Sequence, residues 1–368
     1  MYINSDFSRL EINLNGCLEN YRYFRSKLED KTKLLVLVKA NAYGHGAVQF
    51  ASLMEEAGAD YLAVAYPVEG FELRQAGIKS PIMVLTAGTD SFDQIVNYGL
   101  EPGIPNMYSL KVLCNVLEKR GMTDFPVHIK LDTGMHRLGF MTEELAELMD
   151  FMKECKAVKI KSIYSHLAAS DDPSCDEFTL GQIKLFQKNA DALSESLGYK
   201  PMYHVLNSAG IERFTQYQFD MVRLGIGIYG VSAIPGNKLA PVASFKCKVL
   251  QIKTLKPEDG TVGYGRRGTI SPEGTVVATI PVGYADGVDR HLSCGKGFFS
   301  VNGHRVPTIG NICMDMCMLD VTGLDVKVGD TVTIFGEDPT ITELADILGT
   351  IPYEILTSVP RRIERIVK

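Results

Sequence analysis

The chain of 368 residues lacks the features that mark several large classes of protein. It contains no apolar run near the roughly 18 residues that a membrane span requires. Its first segment, MYINSDFSRLEINL, has neither a basic region nor an apolar core of the signal-peptide kind, so we expect a cytoplasmic protein without a membrane partner. The formal charge of −6 lacks the basic excess that phosphate backbones attract, which argues against nucleic acid as a partner.

The cysteine pattern lacks the features of a metal site. The eight cysteines are scattered, without a C-x-x-C pair or nearby histidines. This pattern argues against a zinc site and fits reduced cytosolic thiols, so we expect no metal. Cys313 and Cys317 in CMDMC form the closest pair. On a strand they would share one face, and we interpret them as packed thiols.

Nucleotide-binding signatures are also missing. GYGRRG, at residues 263–268, fits G-x-G-x-x-G, but the TISPEGT that follows predicts a turn and a strand. A dinucleotide fingerprint needs a strand before it and a helix after it, so we reject this match. No P-loop sequence occurs either.

The first two thirds of the chain alternate between short aliphatic runs and amphipathic stretches. Eight strands alternating with helices predict an α/β fold, a (β/α)8 TIM-like barrel, with a doubly wound open sheet as the alternative. The predicted strands lie at residues 34–40, 61–66, 81–86, 100–106 (the weakest), 127–133, 160–166, 204–209 and 222–230.

The pattern changes after VSAIPGNKLAP, at residues 231–241. From there alternating strands and Gly/Pro turns predict a separate, mainly-β domain. We therefore place the barrel at residues 12–235 and the C-terminal β domain at 236–368. Residues 1–11 also have a strand pattern and are expected to join the β domain.

Lys39 directly follows the first predicted strand, in LVLVKANAYGHGA. A lysine there commonly lays its stem on apolar surface and its ammonium in water. The alternative is a buried amine with a lowered pKa that forms a Schiff base.

Other polar residues favour the Schiff-base lysine, because they lie at the carboxyl ends of predicted strands, where barrels carry their active sites. These residues are Lys130, Asp132, His166, Asn207, Ser208 and Arg223. NSAG and LGIG follow the last two strands, where barrels commonly bind phosphate through backbone N–H groups. A lysine and a phosphate site without a nucleotide motif indicate pyridoxal phosphate.

Motifs in both predicted domains resemble the alanine racemase family, fold-type III enzymes that depend on pyridoxal phosphate. The resemblance runs in order along nearly the whole chain. It is carried by VKANAYGHG (38–46), HIKLDTGMHRLGF (128–140), SHLAASDD (165–172), NSAG (207–210), FDMVRLGIGIYG (219–230), VGYG (262–265), PVGYADGVDR (281–290), CMD (313–315) and IPYEIL (351–356).

The resemblance implies two catalytic bases, since racemisation removes a proton from one face of the α-carbon and returns one to the other. Lys39 would hold the cofactor and serve the D-alanine side. Tyr264 would serve the L-alanine side, assisted by His166 and Arg223. Arg223 would also bind the pyridine nitrogen and keep it unprotonated, because a guanidinium does not yield its proton.

Further roles follow from the same resemblance. The cofactor phosphate would contact Tyr43, Ser208, Tyr353 and the backbone of Gly225 and Ile226, with Asn207 nearby. The substrate carboxylate would meet Arg137 and the backbone of Met314. Lys130, as a carbamate, would support Arg137; Asp315 would orient Tyr264; and Asp171, Tyr284 and Arg290 would line the entrance. Two positions depart from the family: Asn311, where many members carry arginine, and Leu224, where proline is common.

The implied function is interconversion of L- and D-alanine, supplying D-alanine for peptidoglycan, by a head-to-tail homodimer that shares its active sites. Three alternatives remain. A racemase for serine, lysine or another amino acid would share these motifs. A decarboxylase of the same fold type would carry an acidic residue where Arg223 stands. A non-catalytic pyridoxal phosphate binder would lack the β domain.

Overall fold

The computed structural model describes residues 7–368, which fall into two compact units. The barrel unit comprises Leu18–Ala42 and Ala47–Leu239. The β unit comprises residues 7–17, Tyr43–Gly46 and Ala240–Lys368.

Nineteen strands and eleven helices are assigned within residues 7–368. The strands are β1 (Ser8–Ile12), β2 (Lys33–Leu37), β3 (Tyr61–Val64), β4 (Ile82–Val84), β5 (Glu101–Ile104), β6 (Phe125–Lys130), β7 (Val158–Tyr164), β8 (Met202–His204), β9 (Met221–Leu224), β10 (Ala243–Lys248), β11 (Gln251–Leu255), β12 (Thr261–Val262), β13 (Gly268–Thr269), β14 (Thr275–Ile280), β15 (Phe298–Val301), β16 (His304–Pro307), β17 (Cys317–Asp320), β18 (Thr331–Phe335) and β19 (Glu364–Val367). The helices are α1 (Leu14–Ser26), α2 (Lys39–Tyr43), α3 (Ala47–Glu56), α4 (Pro67–Gln75), α5 (Phe92–Asn97), α6 (Met107–Lys119), α7 (Leu145–Glu154), α8 (Asp176–Leu197), α9 (Ser208–Arg213), α10 (Ile341–Leu348) and α11 (Pro352–Ser358).

The barrel unit is built on eight parallel strands in the order β8-β7-β6-β5-β4-β3-β2-β9. Two backbone hydrogen bonds join the ends of this order, from Asp220 N–H to Tyr203 O (3.1 Å) and from Arg223 N–H to Leu206 O (3.0 Å). The sheet is therefore nearly closed as a barrel. The (β/α)8 prediction is confirmed, and the open-sheet alternative is wrong.

The weakest predicted strand is present as β5, although its sequence, EPGI, has low strand propensity. A Cβ on Gly103 would lie 2.5 Å from the hydroxyl oxygen of Tyr164. The glycine that weakens the sequence signal is thus required by packing against the neighbouring tyrosine.

The β unit is mainly β, as the sequence predicts after residue 241. A six-stranded sheet has the order β16-β15-β18-β10-β1-β19, beside a three-stranded sheet β11-β14-β17 and the hairpin β12-β13. Strand β1 pairs antiparallel with β10 and parallel with β19, which brings both ends of the described chain into one sheet.

Two details of the β unit bear on the sequence analysis. GYGRRG connects β12 to β13 through a short 3-10 turn, Tyr264–Arg266, so its rejection as a dinucleotide motif is confirmed. Cys313 and Cys317 do not share a strand, because only Cys317 belongs to β17. Cys313 lies in a turn before it and donates its N–H to Met316 O at 2.9 Å.

Within residues 7–368, no helix combines the length and the apolar character needed to cross a bilayer.

Candidate active site

Lys39 stands at the start of an unusual backbone turn. Ala40, Asn41 and Ala42 have φ between 51° and 55° and ψ between 46° and 54°, and Tyr43 has φ of 51°. Left-handed backbone costs residues other than glycine about 1–2 kcal/mol each, so the turn must be held by its surroundings.

Glu69 provides part of this support. Its Oε1 accepts the N–H of Ala40 at 2.6 Å, while Oε2 accepts the N–H groups of Ala65 (2.7 Å) and Tyr66 (3.0 Å). One carboxylate at the start of α4 thereby ties the residue after Lys39 to the end of β3. Glu69 was not predicted as a site residue: its place in the first turn of α4 indicates a helix start, but not that it also reaches Ala40.

The barrel unit gathers several cations around Lys39. Burial, followed by the charge of Arg137, lowers the pKa of Lys39, although Glu69 partly opposes this effect. Burial and the charges of Arg137 and Arg223 lower the pKa of Lys130 to about 8. Both amines are therefore less firmly protonated than an ordinary lysine, and their surroundings favour a bound anion.

A tight loop after β6 carries Arg137. Asp132 Oδ1 accepts the backbone N–H groups of Gly134 and His136, each at 3.0 Å. Its Oδ2 lies 3.3 Å from Nδ1 of His136. Although burial alone would raise the pKa of Asp132, these hydrogen bonds lower it, so Asp132 organises the loop as a carboxylate. Arg137 itself is exposed.

Arg223, near the end of β9, is buried and densely hydrogen-bonded. Nη1 donates to Nδ1 and to the carbonyl oxygen of His204, each at 3.0 Å. Nη2 donates to the carbonyls of Ser165 (2.6 Å) and Val205 (3.0 Å) and lies 3.3 Å from Nδ1 of His166. Its bonds to residues 7–368 use only the Nη atoms, and none of them uses Nε.

The two histidines beside Arg223 are neutral at physiological pH. Burial and the charge of Arg223 lower the pKa of His166 and that of His204 well below the ordinary value. Burial also lowers the pKa of Arg223, to about 10, so the guanidinium remains charged at neutral pH.

Ser208 organises the loop that follows β9. Its Oγ accepts the N–H groups of Gly225 (2.9 Å) and Gly227 (3.1 Å). Asn207 caps α9 through Oδ1, which accepts the N–H of Gly210 at 2.9 Å. The predicted phosphate residues Ser208, Gly225 and Ile226 thus belong to one buried structure, in which the hydroxyl fixes the loop backbone.

In the β unit, Tyr43 and Tyr353 lie together, with ring centroids 6.0 Å apart. Burial raises the pKa of the Tyr43 hydroxyl, which therefore remains a hydrogen-bond donor at neutral pH. The backbone around Gly44 is close to α11, because Arg365 Nε donates to Gly44 O at 2.8 Å and a Cβ on Gly44 would collide with Leu356 O.

Tyr264 projects from the turn between β12 and β13. Asn311 donates from Nδ2 to the carbonyl oxygen of Tyr264 at 2.8 Å, a role that the sequence analysis did not foresee for this departure from the family. The Tyr264 side chain is 73 % exposed and that of Met314 54 %. Both residues expected to face the substrate from the β unit therefore lie at the surface of this chain.

The remaining predicted residues occupy separate places. Asp315 accepts a hydrogen bond from Nη2 of Arg362 at 2.7 Å, and Arg362 Nε reaches Asp286 at 2.8 Å. Arg290 and Asn311 line a cavity of about 500 Å³, and Tyr284 and Arg290 together line another of about 300 Å³. Asp171 is exposed in the barrel unit.

Comparison with known proteins decides the family. The model for "Alanine racemase, N-terminal domain" matches residues 12–233, and that for "Alanine racemase, C-terminal domain" matches residues 242–367. The chain belongs to the alanine racemase family.

Among relatives in the alanine racemase family, the alanine racemase of Synechocystis is 38 % identical over 97 % of this chain and 98 % of its own length. Alanine racemase 2 of Bacillus subtilis is 35 % identical over 97 % of this chain and 93 % of its own length. The family assignment is therefore supported along the full length of the described fold.

Solved structures of alanine racemases have the same fold as this chain. The alanine racemase of Clostridium difficile 630 has a TM-score of 0.92 and 32 % identity, covering 100 % of this chain and 97 % of its own. The alanine racemase of Bartonella henselae was solved with covalently bound pyridoxal phosphate. It has a TM-score of 0.89 and 30 % identity, covering 99 % of this chain and 100 % of its own.

Proposed function

We propose that this chain interconverts L- and D-alanine with pyridoxal phosphate attached to Lys39. The observation that carries the proposal is the lowered pKa of Lys39 among the cations of the barrel unit. A lowered pKa favours the neutral amine, which is the nucleophile that a Schiff base requires, and the cations suit a phosphate dianion.

The residues of the barrel unit fit this cofactor. Ser208 and the backbone of Gly225 and Ile226 would hold the phosphate, while Arg223 would offer its unused Nε to the ring nitrogen. Family resemblance adds Asn207, Tyr43 and Tyr353 to this set. When bound, pyridoxal phosphate withdraws electron density from the α-carbon and so makes its proton removable.

The chain must then move protons at two atoms. We assign Nζ of Lys39 to the face used by D-alanine and Oη of Tyr264 to the face used by L-alanine. His166 and Arg223 would assist Tyr264. Arg137 and the Met314 N–H would bind the substrate carboxylate, and Lys130, as a carbamate, would hold Arg137 in place.

We also propose a head-to-tail homodimer, in which each site takes Lys39 from one chain and Tyr264 from the other. Its support is the exposed apolar surface of the β unit, formed by Tyr264, Tyr284, Met314 and Met316. Such side chains are enriched at protein interfaces. Asp171, Tyr284 and Arg290 would line the entrance, and Asp315, held by Arg362, would support Tyr264.

The proposed role is to supply D-alanine for peptidoglycan in the cytoplasm, where the chain's eight free cysteines would stay reduced.

Chiral chromatography tests the activity. The protein loaded with pyridoxal phosphate should convert either enantiomer of alanine to the same racemic mixture, because the equilibrium constant between enantiomers is one. Lys39→Ala should abolish conversion, whereas Lys153→Ala, at an exposed lysine of the same unit, should not. Turnover of serine or lysine in preference to alanine would redirect the proposal to that substrate.

A further inference from the structure

Arg223 stands at one end of a chain of hydrogen bonds that crosses five adjacent strands. From His204 the chain passes to Ser162 Oγ (2.8 Å to Nε2), to His128 (2.6 Å from Ser162 Oγ to Nδ1) and to Glu101 (2.9 Å from His128 Nε2 to Oε2). Glu101 Oε1 also accepts from Nζ of Lys161 at 2.8 Å. We call Glu101, His128, Ser162 and His204 the relay.

The relay is dry except at its outer end. His128, Ser162 and His204 are 0 % exposed and Glu101 7 %. Only Lys161, beyond Glu101, is half-exposed. A buried polar network of this kind is costly unless every member is paired, so the direction of each hydrogen bond matters.

The direction is fixed from the Arg223 end. A guanidinium has donors and no acceptor, so Nδ1 of His204 must accept and its proton must sit on Nε2. Nε2–H then donates to Ser162 Oγ. Within residues 7–368, Ser162 Oγ has only the two imidazole rings as partners, so its single hydrogen goes to Nδ1 of His128.

The Glu101 end of the relay agrees with this direction. A neutral His128 that accepts at Nδ1 carries its proton on Nε2 and donates it to Glu101, 2.9 Å away. Although burial alone would raise the pKa of Glu101, the hydrogen bonds from His128 and Lys161 lower it, so the carboxylate is ionised and can only accept. One orientation of all four hydrogen bonds therefore satisfies the requirements of both ends.

The relay also supplies a distant counter-charge. No carboxylate among residues 7–368 forms an ion pair with Arg223, whose protein partners are carbonyl oxygens and imidazole nitrogens. A buried cation needs compensation, and hydrogen bonds in series polarise one another. The negative charge of Glu101 thus strengthens His204 Nδ1 as an acceptor for Arg223.

We propose that Glu101 and His128 are positioning residues for Arg223, acting through Ser162 to hold His204 as its Nε2–H tautomer. In the other tautomer an N–H of His204 would face Nη1–H, and the guanidinium would have to move. The relay therefore fixes the position of the Arg223 guanidinium, and with it the position of Nε relative to a bound ligand. Its catalytic consequence rests on the proposed function, whereas the tautomer itself does not.

The tautomer is measured by NMR of protein carrying ¹⁵N-labelled histidine, with pyridoxal phosphate bound. The chain has seven histidines, and the resonances lost in His204→Gln identify those of His204. We expect an unprotonated Nδ1 and a protonated Nε2. Protonation at Nδ1 in the wild-type protein would overturn the proposal, whatever the protein catalyses.

A double-mutant cycle tests the coupling. Glu101→Gln keeps the side-chain shape but removes the charge, and should lower kcat for alanine by about tenfold, the lower end of the range for residues that orient a catalytic group. In a Ser162→Ala background, where the relay is cut, the same substitution should cost less than about twofold. Equal losses in both backgrounds would show a local, structural role and overturn the proposal.

A matched control separates the relay from general loss of a carboxylate. Glu55→Gln removes the charge of a carboxylate that accepts a hydrogen bond from Ser80 Oγ at 2.8 Å elsewhere in the barrel unit, and should leave kcat and the His204 resonances unchanged. If Glu101→Gln fails to fold, His128→Gln takes its place in the cycle.

Discussion

Asn311 Nδ2 donates a hydrogen bond to the carbonyl oxygen of Tyr264 at 2.8 Å. Asn311, one of the two positions expected to depart from the family, thus holds the backbone of the proposed L-side base. Asn311→Ala removes this contact, and one such hydrogen bond contributes about 1 kcal/mol. If the bond contributes fully to the transition state, kcat should fall roughly fivefold in both directions, measured by initial rates from L- and D-alanine.

Asn302 provides the matched control for Asn311. It is an exposed asparagine of the same unit whose Nδ2 donates to Asp330 at 2.8 Å. Asn302→Ala should leave kcat unchanged. Equal losses in the two variants would mean that the Tyr264 contact has no role of its own.

Lys130 offers a chemical test. With a pKa of about 8, a substantial part of its amine is neutral at pH 7–8 and can combine with carbon dioxide to give a carbamate and a proton. Protein equilibrated with ¹³C-bicarbonate should show a carbamate resonance that strengthens from pH 7 to 8.5. The resonance should vanish in Lys130→Ala but persist in Lys153→Ala; its survival in Lys130→Ala would exclude this lysine.

His204 predicts a pH dependence of stability. Its folded pKa is well below its unfolded value of about 6.5. At mildly acidic pH, His204 is therefore protonated in the unfolded chain but neutral in the folded chain. The free energy of unfolding should therefore be highest above pH 6.5 and should fall below it, by up to about 1.4 kcal/mol per pH unit from this group.

Proton uptake on unfolding measures this contribution of His204 directly. At pH 5.5 the wild-type chain should take up close to one proton more than His204→Gln. His304→Gln, at an exposed histidine of the β unit, serves as the control for removing an imidazole. Equal uptake by the wild-type chain and His204→Gln would show that His204 is already protonated in the fold.

The fold was predictable because its signals are local. Buried runs such as LLVL in β2 are too apolar for surface loops, and polar residues at their ends indicated where a barrel would place a site. Lys39, Lys130, His166 and Arg223 followed from that rule. Even β5 was detected, despite Pro102 and Gly103.

The supporting residues were not predictable, because their partners lie far away in sequence. Glu69 meets Ala40 across 29 residues and Asn311 meets Tyr264 across 47. The left-handed backbone at residues 40–43 contains no glycine, the residue that would have predicted this conformation from the sequence. Arg362, which was not predicted as a site residue, holds Asp315 across 47 residues.

Complementation tests the shared-site homodimer. Lys39→Ala and Tyr264→Ala should each be inactive, yet a mixed dimer would contain one intact site and one doubly altered site. With random pairing, half of the dimers are mixed, so about a quarter of the wild-type activity should return.

The control for complementation pairs Lys39→Ala with the double variant Lys39→Ala/Tyr264→Ala, a combination that can form no intact site. Recovery that does not exceed this control would contradict the exchange of Tyr264 between chains.

The central claim is that two different groups serve the two faces of the α-carbon. The direct measurement is the isotopic content of the first D-alanine formed from L-alanine in deuterated water. If Tyr264 removes the proton and Lys39 delivers another from solvent, that D-alanine should carry deuterium at the α-carbon from the earliest turnovers. D-alanine that retains protium there would indicate one base acting on both faces, and no D-alanine at all would contradict the proposed activity.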